Sequence, residues 1–410
     1  MLLAPTASSA LKMRRALGRL RRSSAIENTA NFFALHRRRA QQRFHGRFVR
    51  GTWLHTSDYL AANRDHGTYH LGAEAGGRTY VPPPTFLPPA PTDTPGNRIQ
   101  FTRRSAGIAE LVRPWVVGHS GAVIGSDRHL LWDLSYEWPG RPQSHTTYQL
   151  THLEATPLPG ITLTLAAMSA EKNYFHFLLN SLARLAYLSA LPGHLSPDRY
   201  LISGPVTPFI LDALALFGIS ADRIIGTADF PALRPDILIA PPLVNHPFVV
   251  PAHVCDFLRH SIIGARPAPA QPRRIFIDRS DARYRRIANF DNLLPTLDAL
   301  GLEPVQLAGR SFAEQAALFH ESSLVVANHG AALSNLVFCS PGTRVIQILA
   351  PGMMEREYRT ISHHGHLQHD YLVAQFAHSS DAHLPRKDRD LILPPDSLLR
   401  AVESGQPLSF

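Results

Sequence analysis

The stretch SLVVANHGAALSNLVF, residues 323–338, decides which fold the sequence predicts. Its first six residues are mostly apolar and predict a buried strand, and the apolar spacing after Gly330 predicts a helix. This order places His329 and Gly330 at the carboxyl end of a strand, beside the free backbone N–H groups of a helix start. Open α/β sheets bind phosphorylated ligands at such positions.

The flanking segments predict the sheet to which this unit belongs. Strand patterns occupy residues 274–278, 302–307 and 343–349, and residues 289–300 have helical spacing. Ser311 and Glu314 form a capping box, which predicts a helix reaching about Glu321. Four strands separated by three helices predict a parallel sheet with right-handed crossovers.

The preceding part of the chain predicts a second α/β unit. Its predicted elements are a β-hairpin over residues 122–135, strands over residues 161–166, 200–202, 223–225 and 236–240, and helices over residues 173–190, 207–217 and 251–263. Proline-rich residues 81–91 and 264–272 predict stiff connectors, because proline fixes φ and donates no hydrogen bond. We therefore expect two α/β lobes with a cleft between them.

Composition limits the domain organisation. The chain has 410 residues, of which 44% are hydrophobic, so it can bury two sizeable cores. Cys255 and Cys339 lie far apart, which supports neither a zinc cluster nor a disulfide framework. No apolar run approaches the roughly 18 residues of a membrane span. The predicted units are a basic arm (1–50), an irregular Pro-rich segment (51–109), an N-terminal lobe (110–263), a hinge (264–273), a C-terminal lobe (274–375) and a tail that packs back (376–410).

The net charge of +9 comes from the N-terminal arm. Residues 1–50 hold 12 of the 41 Lys and Arg and one of the 32 acids, so the remainder has 29 bases and 31 acids. A nearly neutral body argues against a nucleic-acid partner. The arm is compatible with an amphipathic helix on an anionic membrane surface, a disordered basic tail or a transit peptide. We expect a cytoplasmic protein, with the arm as the part that would touch the inner face of the membrane.

The helix over residues 173–190 has four polar residues among apolar ones. Asn173, His176, Asn180 and Arg184 recur every three or four residues and are predicted to form one stripe. His176 is a candidate general base, because imidazole titrates near neutral pH. The other interpretation is an ordinary solvent-facing stripe, or a histidine that satisfies a buried carbonyl.

Four motifs in sequence carry a family resemblance. They are NYFHFLL (173–179) with Arg184, Asp278-Arg279 with Arg286 and Asn289, FAEQ (312–315), and HGA (329–331) with Leu333 and Asn335. Together they resemble glycosyltransferase family 61, also called DUF563, over about residues 110–375. The resemblance implies an α/β, GT-B-like fold in which two Rossmann-like lobes face each other across a cleft. It also implies an inverting transfer from a nucleotide diphosphate sugar, usually UDP-linked, that needs no metal or other cofactor. The expected acceptor is a glycan or polysaccharide such as a bacterial capsule.

The resemblance also implies roles for residues. His176 and Asn180 are the predicted catalytic residues, and Asn173 and Arg184 are placed on the acceptor side. The predicted donor-binding residues are Arg279, Arg286, Asn289, Glu314, His329, Gly330, Ala331 and Asn335. Arginine suits a diphosphate because its planar guanidinium donates two parallel hydrogen bonds. Each assignment has a structural alternative: a surface ion pair for Arg279, a turn-closing hydrogen bond for His329, and the capping box for Glu314.

One departure from the family pattern affects the mechanism. The family usually has Asp or Glu where this chain has Asn180, and an amide cannot accept a proton at neutral pH. Either His176 is the base with Asn180 orienting it, or another carboxylate is the base, or transfer is slow or absent. The sequence therefore predicts a hexosyl-, N-acetylhexosaminyl- or pentosyltransferase, with a catalytically silent nucleotide- or sugar-binding protein as the alternative.

Overall fold

The computed structural model describes residues 47–404, except residues 75–76, 83–84, 88–98, 104–105, 138–139, 245–248, 268, 354–355 and 379–381. The predictions for the basic arm, including the amphipathic helix around residues 12–22, therefore fall almost entirely outside the described residues. In chain order the strands are β1 (Gly51–Trp53), β2 (Gly67–Glu74), β3 (Gly77–Val81), β4 (Thr85–Phe86), β5 (Ile99–Arg103), β6 (Ala106–Val112), β7 (Trp115–Val117), β8 (Ala122–Ile124), β9 (His129–Leu131), β10 (Thr156–Thr164), β11 (Arg199–Ile202), β12 (Ile224–Gly226), β13 (Ala232–Ala240), β14 (Arg273–Ile277), β15 (Glu303–Val305), β16 (Ser322–Asn328), β17 (Arg344–Leu349), β18 (Gln368–Val373), β19 (Gln375–Phe376) and β20 (Leu391–Ile392).

The helices follow the predicted alternation with strands. They are α1 (Thr56–Ala62), α2 (residues 174–190), α3 (Pro208–Ala215), α4 (Ala252–Ile263), α5 (Phe290–Ala299), α6 (Phe312–His320), α7 (Glu357–His364) and α8 (Pro395–Glu403), and a 3-10 helix runs over Ala331–Phe338. Shorter 3-10 turns occupy Arg64–His66, Trp132–Leu134, Pro142–Ser144, Thr146–Gln149, Ala221–Arg223, Thr227–Asp229 and Arg386–Asp388. The capping box that opens α6 is confirmed, with Ser311 and Glu314 each bonded to the other's backbone N–H.

The first sheet is mixed and has a parallel centre. Strands β12, β11, β10 and β13 lie side by side and are parallel, and β6 and β7 pair with β13 in the antiparallel sense. Numbered along the chain, the parallel strands have the spatial order 3-2-1-4, which is the first half of a Rossmann fold. The predicted hairpin between β8 and β9 is confirmed.

The second sheet is parallel throughout. Its order is β15-β14-β16-β17-β18-β4. The first five of these strands have the order 2-1-3-4-5 along the chain, so the winding direction reverses between β14 and β16. Ligands of open α/β sheets bind at the carboxyl ends of the two strands that flank this reversal.

The segment over residues 51–109 differs from its prediction as an irregular region. It supplies β1, β2 and β6 to the first sheet and β4 to the second. The two residues of β4 pair with Asp370 and Tyr371 at the edge of the second sheet. Phe86 also packs on Tyr371, with ring centroids 5.4 Å apart. Residues 264–272 connect α4 to β14, and their role as a hinge stays a prediction.

The two sheets share the helices that lie between them. One cluster of buried residues includes Leu163 and Ile202 of the first sheet, Ile275 and Val325 of the second, and apolar side chains of α2, α4, α6 and the 3-10 helix. The Tyr174 hydroxyl of α2 donates to Asn335 Oδ1 of the 3-10 helix at 2.6 Å. The interior is therefore continuous from one sheet to the other at these helices.

Helix α2 is irregular in a way that the sequence did not predict. It begins as an α-helical turn, continues as a π turn over Phe177–Ser181 and ends as a 3-10 helix over Leu182–Ala190. A π turn adds one residue, which rotates the following side chains by about 100°. Arg184 consequently leaves the predicted stripe and is buried, with 1% of its surface exposed.

Arg184 joins the two central strands of the first sheet at their carboxyl ends. Its guanidinium donates to the carbonyl of Ala166, beyond β10, at 2.6 Å and to that of Pro241, beyond β13, at 2.5 Å. Burial lowers the pKa of Arg184. The position is that of a structural clamp, not of a side chain directed at an acceptor.

Replacing this clamp should destabilise the protein. We expect Arg184→Leu to lower the free energy of unfolding by about 2–4 kcal/mol, because two buried carbonyls lose charge-assisted hydrogen bonds. The measurement is urea unfolding followed by circular dichroism. Arg266→Leu, at an exposed position, is the control and should change stability by less than about 0.5 kcal/mol. Equal stability of both variants would contradict the clamp.

Candidate active site

The turn after β16 leads directly from a strand into a helix start. His329 follows the last residue of the strand, and its N–H donates to the carbonyl of Ile348 in β17 at 2.9 Å. Gly330 is extended and begins the 3-10 helix over Ala331–Phe338. The first N–H groups of a helix have no acceptor within it. They therefore remain available to an anion at the carboxyl end of β16.

Arg279 approaches Gly330 so closely that a side chain at residue 330 would have to displace the guanidinium. A Cβ atom at Gly330 would lie 2.5 Å from Nη1 of Arg279. Arg279 comes from the loop after β14, so the contact crosses the point where the strand order reverses. The structure thus places Arg279 close to His329 and Gly330, as the sequence predicted.

A second arginine, which the sequence analysis did not select, adds charge at the same place. Arg285 lies beside Arg279, and the repulsion contributes, after burial, to a lowered pKa of Arg279. Nε of each arginine is buried without a hydrogen-bond partner, and neither has an ion-pair carboxylate within 4.0 Å in the described part of the chain. Two adjacent guanidinium groups without a carboxylate partner favour a bound anion.

His329 stays neutral beside these charges. Burial first, and then Arg285 and Arg279, lower the pKa of His329 to about 3. The Gln347 amide donates to Nδ1 of His329 at 3.1 Å, so the ring proton lies on Nε2. His329 can therefore donate a hydrogen bond at neutral pH without adding charge.

A buried relay across three strands fixes this tautomer. The ring of His369, in β18, donates through Nε2 to Gln347 Oε1 at 3.0 Å, and the Ser362 hydroxyl donates to Nδ1 of His369 at 2.8 Å. Burial lowers the pKa of His369 to about 3. Every member of the relay is neutral, and each ring nitrogen in it has one defined role.

Aromatic contacts connect this site to the predicted catalytic histidine. The ring of Tyr358 lies 5.4 Å from that of His329 and 5.8 Å from that of Phe175. Phe175 in turn lies 5.3 Å from His176. The start of α2 and the turn after β16 are therefore connected through Tyr358.

His176 and Asn180 are in direct contact. Asn180 Nδ2 lies 3.0 Å from His176 Nδ1, whereas Asn180 Oδ1 is buried without a hydrogen-bond partner in the described structure. Burial lowers the pKa of His176, and the carboxylate of Glu171 opposes that effect. A histidine with a lowered pKa is unprotonated at neutral pH and can accept a proton.

Several predicted donor residues hold other contacts. Arg286 pairs with Asp390, with Nη2 2.7 Å from Oδ2, and Asn289 bonds the backbone of Leu393 in both directions. Glu314 is occupied by the capping box, whose Ser311 groups lower its pKa. Asn335 is fully buried at the contact with Tyr174. The side chains of these four residues stabilise structure near the turn and do not surround Arg279.

Of the predicted acceptor-side residues, neither lies in a stripe with His176. Asn173 caps α2, where its side chain accepts from the N–H of Phe175 at 2.9 Å. Arg184 is the buried clamp described above. The capping role removes Asn173 from the predicted stripe, and the π turn removes Arg184, so His176 and Asn180 remain neighbours.

A comparison with known families can now be added to the geometry. Residues 174–346, from the start of α2 into β17, match the family described as Glycosyltransferase 61. The match covers less than half of the 410 residues and supports an assignment to glycosyltransferase family 61. No curated protein sequence matches it significantly. The matched segment contains His176, Arg279 and His329, and a glycosyltransferase needs groups that bind a sugar donor, so the family and the geometry agree.

No helix within the described ranges is long and apolar enough to cross a bilayer. No group of three or more His, Cys, Asp or Glu side chains in those ranges could hold a metal ion.

A methyl group at Gly330 should weaken anion binding. In Gly330→Ala the new Cβ displaces the Arg279 guanidinium, so we expect the dissociation constant for inorganic pyrophosphate to rise at least about tenfold, the loss of one charge-assisted hydrogen bond. Calorimetric titration measures it. The control is Gly193→Ala, where an added Cβ meets nothing within 4 Å. If both variants bind pyrophosphate like the native chain, the turn is not the anion site.

Proposed function

We propose that the protein is an inverting glycosyltransferase that moves a sugar from a UDP-linked donor to a hydroxyl of a glycan or polysaccharide, without a metal ion. The observation that carries the proposal is the pair Arg279 and Arg285 beside Gly330, at the reversal of strand order in a parallel sheet. The uridine donor and the polysaccharide acceptor rest on the family resemblance. We also propose the GT-B arrangement, which the buried cluster between the two sheets supports.

Departure of the diphosphate is the step that the turn would assist. As the bond between the anomeric carbon and the diphosphate oxygen breaks, its electron pair goes to the diphosphate. Arg279 and Arg285, the N–H groups at Ala331 and the Nε2–H of His329 would hold that charge. Because these positive groups belong to the chain itself, transfer is expected without an added divalent cation.

Activation of the acceptor is the role proposed for His176. The acceptor oxygen forms the new bond to the anomeric carbon, and its proton passes to the ring of His176. The Asn180 amide has two orientations of equal shape. When its Oδ1 faces Nδ1 of His176, the amide accepts a hydrogen bond from Nδ1–H. The lone pair on Nε2 can then take the proton of the acceptor hydroxyl. Asn180 would thereby position the base without being one.

The main prediction is metal-independent turnover. UDP release from a panel of UDP-sugars in the presence of EDTA should fall about 10- to 100-fold in Arg279→Ala and about 100- to 10,000-fold in His176→Ala. Arg283→Ala, a change at an exposed arginine of the same loop, is the matched control and should retain activity. Failure of every donor, or equal activity in all three variants, would overturn the proposal.

The pH profile tests the identity of the base. Burial lowers the pKa of His176 from its ordinary value of 6.5, and only the unprotonated ring accepts a proton. We therefore expect kcat/KM to be constant at neutral pH and to decline on acidification, with the inflection below 6.5. An inflection above that value, or one that persists in His176→Ala, would assign the base to another group.

A catalytically silent nucleotide- or sugar-binding protein is the second candidate, and Asn180 is the observation that favours it. In that case UDP would raise the melting temperature without any turnover. Asn180→Asp distinguishes the two functions, because a carboxylate accepts from Nδ1–H of His176 in either orientation and raises the pKa of the ring. An enzyme should become faster, and its acidic inflection should move to higher pH. A silent protein should remain inactive.

A further inference from the structure

A pocket of about 450 Å³ opens beside the first sheet. One wall is the turn between β7 and β8, with His119 and Ser120, and the other is the loop after β10, with Ser169 and Glu171. Its volume is within the range of about 300–1,000 Å³ that is usual for small-molecule sites. The pocket adjoins the start of α2, which carries His176, and the sequence analysis did not identify it.

The walls of this pocket are rigidly connected. The Thr227 hydroxyl donates to the carbonyl of His119 at 2.9 Å and accepts from the N–H of Gly204 at 2.8 Å. A Cβ at Gly204 would lie 2.4 Å from Cβ of Glu171, so the two backbones are in close contact. The turn and the loop are therefore held in one geometry without a ligand.

Glu171 has an unused acceptor in this pocket. Its Oε2 atom is buried without a hydrogen-bond partner in the described structure, and Lys172, whose side chain is 82% exposed, lies 3.6 Å from Oε1. Ser169, two residues earlier, has φ of 60°, a strained conformation for a residue other than glycine. A buried carboxylate oxygen without a donor is costly unless a ligand supplies one.

The pocket has a second carboxylate and no cationic lining side chain among the described residues. Glu137 Oε2 accepts from the N–H of Thr146 at 2.8 Å and lies 3.6 Å from Nε2 of His145. Burial lowers the pKa of His145, so this histidine does not neutralise Glu137. An anionic substituent in the pocket would meet two carboxylates, of which that of Glu171 has, within the described ranges, only the exposed Lys172 as a cationic neighbour, at 3.6 Å.

We propose that this pocket binds the acceptor saccharide and that it selects a neutral or amino-bearing sugar over one with a carboxylate, sulfate or phosphate. This inference rests on the transferase function proposed above. Glu171 accepts a hydrogen bond from a sugar hydroxyl or ammonium. Val117, Leu150 and Pro231 contact the apolar face of the ring. Acidic sugars are excluded by electrostatic repulsion alone, and no further contact is needed to reject them.

The test is saturation-transfer NMR on the full chain with matched methyl glycosides. The panel contains glucose, galactose, mannose and xylose, together with glucosamine and glucuronic acid. We expect binding of at least one neutral or amino sugar, and a dissociation constant at least tenfold, on the order of 1.4 kcal/mol, higher for glucuronic acid. In Glu171→Gln this discrimination should shrink because one negative charge is gone.

Ser120→Trp tests the location by filling the pocket. It should abolish saccharide binding while the UDP dissociation constant, measured by calorimetry, stays within twofold of the native value. Asn292→Trp, on an exposed face of α5, is the control and should retain both. The UDP titration tests the donor site separately from this proposal. If the native chain does not bind UDP, the transferase function is contradicted, whatever the result with the sugars.

Three results would overturn the acceptor assignment. They are binding of glucuronic acid as tight as that of glucose, an absence of binding by every neutral and amino sugar, and saccharide binding that survives in Ser120→Trp. If Ser120→Trp does not fold, Glu171→Gln carries the test alone, and unchanged discrimination in that variant is then the contradicting result.

Discussion

The contact between Arg279 and the bare backbone at Gly330 is the constraint on which the proposed site depends. It joins the loop after β14 to the turn after β16 across the reversal of strand order, and a side chain at residue 330 would have to displace the guanidinium. With Arg285 it concentrates two guanidinium groups that lack ion-pair partners in the described part of the chain. Such an arrangement gains most from an anion with several oxygens, because planar guanidinium groups bind them bidentately.

The hydrogen-bonded relay behind the turn is neutral, so it neither offsets nor increases the positive charge of the two arginines. His329 carries its proton on Nε2 because Gln347 occupies Nδ1, and Gln347 is in turn fixed by His369. The helices between the sheets add a second constraint, since one buried cluster spans both sheets. The donor side and His176 are therefore held in a fixed relation by packing, and Tyr358 lies between them.

Sequence periodicity predicted most of the framework and only part of the site. Strands β14, β16 and β17 and the capping box of α6 were predictable because buried strands and helix caps have local signatures. The edge strand β4 was missed, since two residues among prolines carry no periodicity. The sequence analysis chose Arg286 as a donor-binding residue, whereas Arg285 lies at the site. Arg285 has a backbone φ of 61°, a conformation that nothing in its residue type indicates. The π turn of α2 similarly separated Arg184 from His176, and the exposure of Glu171 to a pocket depends on contacts remote in sequence.

A crystal structure of the protein soaked with UDP would test the central claim most directly. We expect diphosphate oxygens within hydrogen-bond distance of the Arg279 guanidinium and of the backbone N–H groups that follow Gly330, with Arg285 alongside. A diphosphate bound elsewhere on the molecule, with Arg279 and Arg285 both turned away from it, would contradict the account.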